Sequence, residues 1–213
     1  MYDILLPIHI VAGFCSLFAA FGAILTKKGQ TWHVRSGRVF FWGMVVIFVT
    51  ALPMTLLRPN LFLFLVAIFS FYQALTGWRT ARNRTGQPAW IDWAAAGLMT
   101  AAGAGMLVFG AVLLASGEML GLVLLAFGGL GGGFGLYDWR QFRRKPLTGK
   151  RRIAVHLTRM LGGTVATVTA FVVTNFQFSP PVVLWLAPTV VFVPLIVYWN
   201  RAVLKPAKPA TAS

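Results

Sequence analysis

Seven apolar runs, each long enough to cross a bilayer and separated by short polar joints, constrain this chain more than any other feature. They fall at about Ile4–Thr26, Val39–Leu57, Leu61–Trp78, Trp93–Ala115, Met119–Tyr137, Ile153–Asn175 and Val182–Trp199. Roughly 20 apolar residues in a helix cover the ~30 Å hydrocarbon layer. Lipid offers no partner to an open backbone group, so each run must satisfy its own amides, and no alternating pattern suggests strands of a barrel. The expected fold is all-α: one polytopic bundle of seven transmembrane helices over residues 1–203, followed by a disordered, Pro/Ala-rich tail, 204–213. Composition agrees. The chain is 58% hydrophobic and 11% charged, against about 25% charged residues in a soluble domain.

The net charge of +15 is not the footprint of a nucleic-acid binder. Its cations sit in short clusters between spans instead of forming one patch. Lys27, Lys28, Arg35 and Arg38 follow the first span; Arg79, Arg82 and Arg84 follow the third. The densest group, Arg140 to Arg152, follows the fifth, and Arg201, Lys205 and Lys208 close the chain. Connections on the opposite side hold Arg58 alone. The positive-inside rule then predicts an outward N-terminus and a cytoplasmic C-terminus. The basic face should attract anionic lipid headgroups. Tight outer joints make the second and third spans, and the fourth and fifth, antiparallel neighbours.

Small residues mark packing faces. In the first span they run His9, Ala12, Gly13, Ser16, Ala20, Ala23, and in the sixth His156, Met160, Gly163, Thr167. The fifth span carries G-G-L-G-G-G-F-G from Gly128 to Gly135. It resembles a dinucleotide fingerprint, but it lies inside an apolar span and not at a strand–turn–helix junction, so close helix packing or a bend is the expectation.

Ionisable groups inside a membrane are costly and become candidates for function. His9 lies near the outer end of the first span, 18 residues before Lys27, which is roughly 27 Å of helix rise. It cannot share a metal with His33 or His156, so a three-histidine zinc site is excluded. His9 is an outer-side candidate for a proton or a ligand. The inner layer places His33 in the loop before the second span and His156 at the opening of the sixth. Asp92 precedes the fourth span, Asp138 follows the fifth, and Arg159 lies just inside the sixth. His33 and His156 could clamp a haem iron or, with Asp92 and Asp138, bind another metal. Arg159 and Arg38 would support such a site. Equally, the aspartates could pair with neighbouring arginines and both histidines could hydrogen-bond in an interfacial network. No serine triad, P-loop or CxxC motif is present.

Several motifs recur in a fixed order: His9-x-x-x-Gly13, Lys28-Gly29 with His33-x-x-x-Gly37-Arg38, S-F-Y-Q-A-L-T-G-W-R from Ser70 to Arg79, and His156-x-x-Arg159-Met160. Together they resemble an uncharacterised bacterial family of predicted multi-pass membrane proteins, a domain-of-unknown-function family. The resemblance runs from the first to the sixth or seventh span. It implies a bacterial inner-membrane protein and carries no activity, and it draws attention to His9, His33, His156 and Arg159. Three functions stay open: a haem or metal protein, a small-molecule or proton transporter, and a non-catalytic scaffold that binds membrane-protein partners or further copies of itself.

Overall fold

A computed structural model describes residues 1–205. It comprises seven helices: α1 (Tyr2–Leu25), α2 (Thr31–Leu57), α3 (Leu61–Arg82), α4 (Trp90–Ala115), α5 (Gly121–Phe142), α6 (Gly149–Asn175) and α7 (Val182–Leu204). All seven are long and apolar enough to cross a membrane, and no strand occurs among the described residues. The bundle's exterior is itself apolar, with Ile4, Phe18, Val108 and Val190 all turned outward and exposed. Water would not support such a surface.

The helices overrun the apolar stretches at their basic ends. α2 starts eight residues before Val39 and takes in His33, Arg35 and Arg38. His33 therefore stands on a helix and not in a loop, Asp92 lies within the first turn of α4, and Asp138 belongs to α5. His156 and Arg159 come two and nearly three turns into α6. Helical hydrogen bonding does not stop where hydrocarbon stops, because polar side chains at the interface leave the backbone ladder intact. At the chain's end, α7 runs to Leu204, one residue past the expected limit. The rest of the expected tail, 206–213, lies outside the described residues.

α3 is the middle of the bundle and packs on α2, α4, α5 and α6. On one side its Leu65, Ile68, Phe69 and Tyr72 join Met99, Met106, Leu124 and Phe127 of α4 and α5 in the larger core cluster. On the other side Ala74 joins Ala20, Phe40 and Met44 of α1 and α2. α2–α3 and α4–α5 are neighbours, as their short joints require. α5 and α6 are consecutive, yet their backbones do not come close and they meet through the Arg159 side chain.

The glycine run of α5 serves close packing. Gly128, Gly131, Gly132 and Gly135 recur at helical spacing along the buried side. A Cβ on Gly128 would come within 2.8 Å of Met106, and one on Gly135 within 2.8 Å of the Ala96 carbonyl. Gly103 of α4 lies directly against the Gly132 backbone, where a methyl would approach its Cα to 2.6 Å. Gly129 and Gly133 have nothing within 4 Å of such a methyl. Helices approach this closely only through small residues.

These two classes of glycine should respond oppositely to alanine. Gly103→Ala forces backbone apart and is expected to cost about 1–3 kcal/mol. Gly133→Ala meets open space and should be neutral or slightly stabilising through helix propensity. Thermal unfolding of the detergent-solubilised variants, followed by circular dichroism, checks both.

Candidate functional site

Polar side chains gather at the end of the bundle where α1, α3, α5 and α7 finish and α2, α4 and α6 begin. Contacts tie these ends together. Arg152 of α6 donates to the carbonyls of Thr80 and Ala81, the unsatisfied last turn of α3, at 3.0 and 2.8 Å. Lys150 donates to the Lys205 carbonyl at the end of α7. At the opposite end the one arginine, Arg58, stacks 4.0 Å from the Tyr2 ring centre.

Two polar clusters, one buried and one half-buried, lie on either side of α3. The first is an ion pair: Arg159 Nη2 donates to Asp138 Oδ1 at 2.8 Å, and Arg159 is only 2% exposed. Tyr72 of α3 donates its hydroxyl to the other oxygen of Asp138. The guanidinium also lies 4.0 Å from the Phe134 ring centre. Asp138 is thus held on both oxygens, by helices α3 and α6. Such a pair is costly to desolvate, and it holds only because the carboxylate's hydrogen bonds are met. Arg159 is consequently not free to neutralise a propionate or orient a ligand, the supporting role expected of it. Asp92 is engaged too. Arg79 Nη2 donates to its Oδ2 at 2.7 Å with Arg79 Nε on Oδ1, and Asp92 accepts the Ala89 amide at 2.8 Å, closing the first turn of α4.

The second cluster is the histidine pair. His33 and His156 face each other with ring centres 6.5 Å apart and planes at 87°. His33 Nδ1 lies 3.0 Å from the Ala23 carbonyl of α1, and His156 Nδ1 lies 2.9 Å from the Gly77 carbonyl of α3. A carbonyl can only accept, so both Nδ1 atoms carry a proton, and in the neutral form of each ring the lone pair is on Nε2. Neither Nε2 makes a hydrogen bond among the described residues. Arg38, one turn beyond His33 on α2, is exposed and has no partner among the described residues.

Two histidines and two carboxylates therefore do not converge. Each aspartate is taken by an arginine, and among the described residues no group of three metal-ligating side chains forms. The four-residue metal site expected from the shared end of the spans is not formed, because Asp138 turns to Tyr72 and Arg159 and Asp92 to Arg79, while the imidazoles turn to carbonyls of α1 and α3. His9 stands apart as expected. Its partner is Thr50 of α2, 2.9 Å from Nδ1. Thr50 donates its own proton to Val46 O at 2.8 Å, so it accepts from His9. Fourteen residues, roughly 21 Å of rise, separate His9 from Ala23, which His33 contacts.

Tyr72 and Gln73 are members of the buried network that the sequence did not single out as functional. Both fall inside the Ser70–Arg79 motif, which was the available signal. That motif and His156–Met160 face each other. Gly77 packs against Met160, Gly162 against Gln73, and Arg159 Nη1 approaches Gln73 Oε1 at 3.5 Å.

The architecture is that of a multi-pass membrane protein with two polar clusters at one end. No family model, curated protein or solved structure matches the chain.

The two ion pairs differ in burial, and this predicts different costs. Asp138→Asn leaves an uncompensated buried guanidinium and should cost about 3–5 kcal/mol. Arg79→Gln breaks a pair whose arginine side chain is 27% exposed, and should cost under about 1 kcal/mol. Denaturant or thermal unfolding in detergent orders the two.

Proposed function

We propose that the chain is an integral protein of a bacterial inner membrane, with its basic end in the cytoplasm, and that it holds a metal centre between His33 and His156. The positive-inside rule supports the orientation, since Arg58 is the lone basic residue of the other end. The family resemblance supports the bacterial source.

The geometry of the two imidazoles carries the metal reading. Metal-ligating histidines generally give their second ring N–H to a carbonyl or carboxylate, which fixes tautomer and orientation. Ala23 O and Gly77 O do this for His33 and His156, from two different helices. Metal–imidazole bonds of about 2.0–2.1 Å put an ion roughly 3 Å from each ring centre. The observed 6.5 Å leaves room for one ion between the two rings. Imidazole donors suit iron, copper or zinc, and two of them from separate helices would hold a haem iron. With Arg159 committed to Asp138, the exposed Arg35 and Arg38 are the cations left near His33 to meet haem propionates. A bound iron or copper would supply one-electron chemistry. The chain's part is to orient both rings through the carbonyls of α1 and α3.

Optical spectroscopy and elemental analysis of protein purified in detergent from haem- and metal-replete cells test this. A Soret band that shifts on reduction identifies haem, and stoichiometric metal without it identifies a bare ion. Either signal should vanish in His33→Ala and in His156→Ala and persist in His9→Ala. A colourless, metal-free parent protein would overturn the reading.

A further inference from the structure

A second polar space opens on the other side of α3. It is a cavity of about 60 Å³, bounded by the loop 83–89, the loop 143–148 and the ends of α3, α4, α5 and α6. Its shape is built, not incidental. Asn83 anchors the first loop, donating to Gln87 O at 2.6 Å and accepting from Thr85 and the Gly86 amide at 2.9 and 3.0 Å. Gly86 adopts φ +71°, where a side chain is strained. A Cβ there would also strike the Leu147 backbone at 2.6 Å, so the two loops close on each other.

The charge of the wall is decisive. Arg79, Arg144, Lys145 and Arg152 line the cavity together with Asp92 and Asp138. Both carboxylates are already paired, Asp92 with Arg79 and Asp138 with Arg159. Arg144, Lys145 and Arg152 have no carboxylate partner among the described residues. The chain has two other acids, and neither can reach them. Asp3 is in the first turn of α1, and Glu118 joins α4 to α5 at the far end. Donor positions are also left over. Arg79 uses Nε and Nη2 on Asp92, leaving Nη1, and Arg152 uses only Nη1 on the α3 carbonyls, leaving Nε and Nη2. A concave wall with three unbalanced cations and guanidinium forks recognises a tetrahedral oxyanion better than a spherical halide. The space has room for a phosphate group.

We propose that this cavity binds a phosphate-type oxyanion, either inorganic phosphate or the phosphodiester of an anionic lipid headgroup. The site is separate from the histidine pair and does not depend on a metal there.

The test uses delipidated full-length protein in a neutral detergent. One arm measures thermal unfolding in sodium phosphate against sodium chloride of equal ionic strength. The other measures retention of phosphatidylglycerol against phosphatidylcholine by native mass spectrometry. A phosphate-specific rise of a few degrees, the size mass action gives at tenfold saturation, identifies the free ion as ligand. Selective retention of phosphatidylglycerol identifies the lipid. Whichever signal appears should be lost in Arg144→Gln/Lys145→Gln, whose side chains make no hydrogen bond in the parent and whose unliganded melting should match it. The proposal fails if neither ligand is selected, if chloride reproduces the phosphate shift, or if the double variant responds like the parent. Should that variant not fold, the phosphate-against-chloride and lipid-selection arms on the parent still decide the matter.

Discussion

The Asp138–Arg159 pair is the interaction around which the bundle is arranged. Burying a guanidinium at 2% exposure is tolerable only beside a carboxylate whose own lone pairs are met. Here the carboxylate comes from α5, the guanidinium from α6, and the supporting hydroxyl of Tyr72 from α3. The backbones of α5 and α6 stay apart, so the Arg159 side chain, on Asp138 and the Phe134 ring, is what joins them. Each of the three helices must therefore keep a defined rotation about its axis, or the charge is stranded. Apolar packing in lipid is permissive about rotation, and a buried polar network is not.

Close packing elsewhere makes the network reachable. The small-residue face of α5 lets α4 lie against it, and Gly77, Gly162 and Gly163 let α6 settle onto α3. With α3 wedged between, the polar side chains of one end divide into two compartments. Imidazoles lie toward α1 and α2, held through their Nδ1 atoms by carbonyls. The carboxylates and unbalanced cations lie toward α4 and α5. The division explains why residues at similar depth do different chemistry. Asp138 and His156 share an end of the molecule but are on opposite sides of a helix.

Much of this architecture was legible before any coordinates. Run lengths and basic joints revealed seven helices and their neighbour relations, and the glycines of α5 announced a tight face. Helix ends were less legible. A hydropathy boundary marks where hydrocarbon stops, whereas His33, Asp92 and Asp138 are positioned by backbone that continues past it. Partner choice was not legible at all. Asp138 has Arg140 two residues away and Arg143 five away, yet it pairs with Arg159, 21 positions on, because rotation of α5 and α6 about α3 decides which cation is dry. Likewise Thr50, the partner of His9, lies 41 residues away and depends on how α1 and α2 are registered. The Ser70–Arg79 and His156–Met160 motifs signalled importance without saying that they face each other.

A double-mutant cycle on Asp138→Leu and Arg159→Met, measured by reversible unfolding in detergent micelles, addresses the central interaction most directly. If the pair bridges α5 and α6 in the dry interior, each single change strands a charge, and the double variant recovers most of the loss, giving a coupling of about 2 kcal/mol or more. Additive effects, with the double variant as unstable as the sum of the singles, would mean that the two side chains do not meet and would contradict the arrangement described.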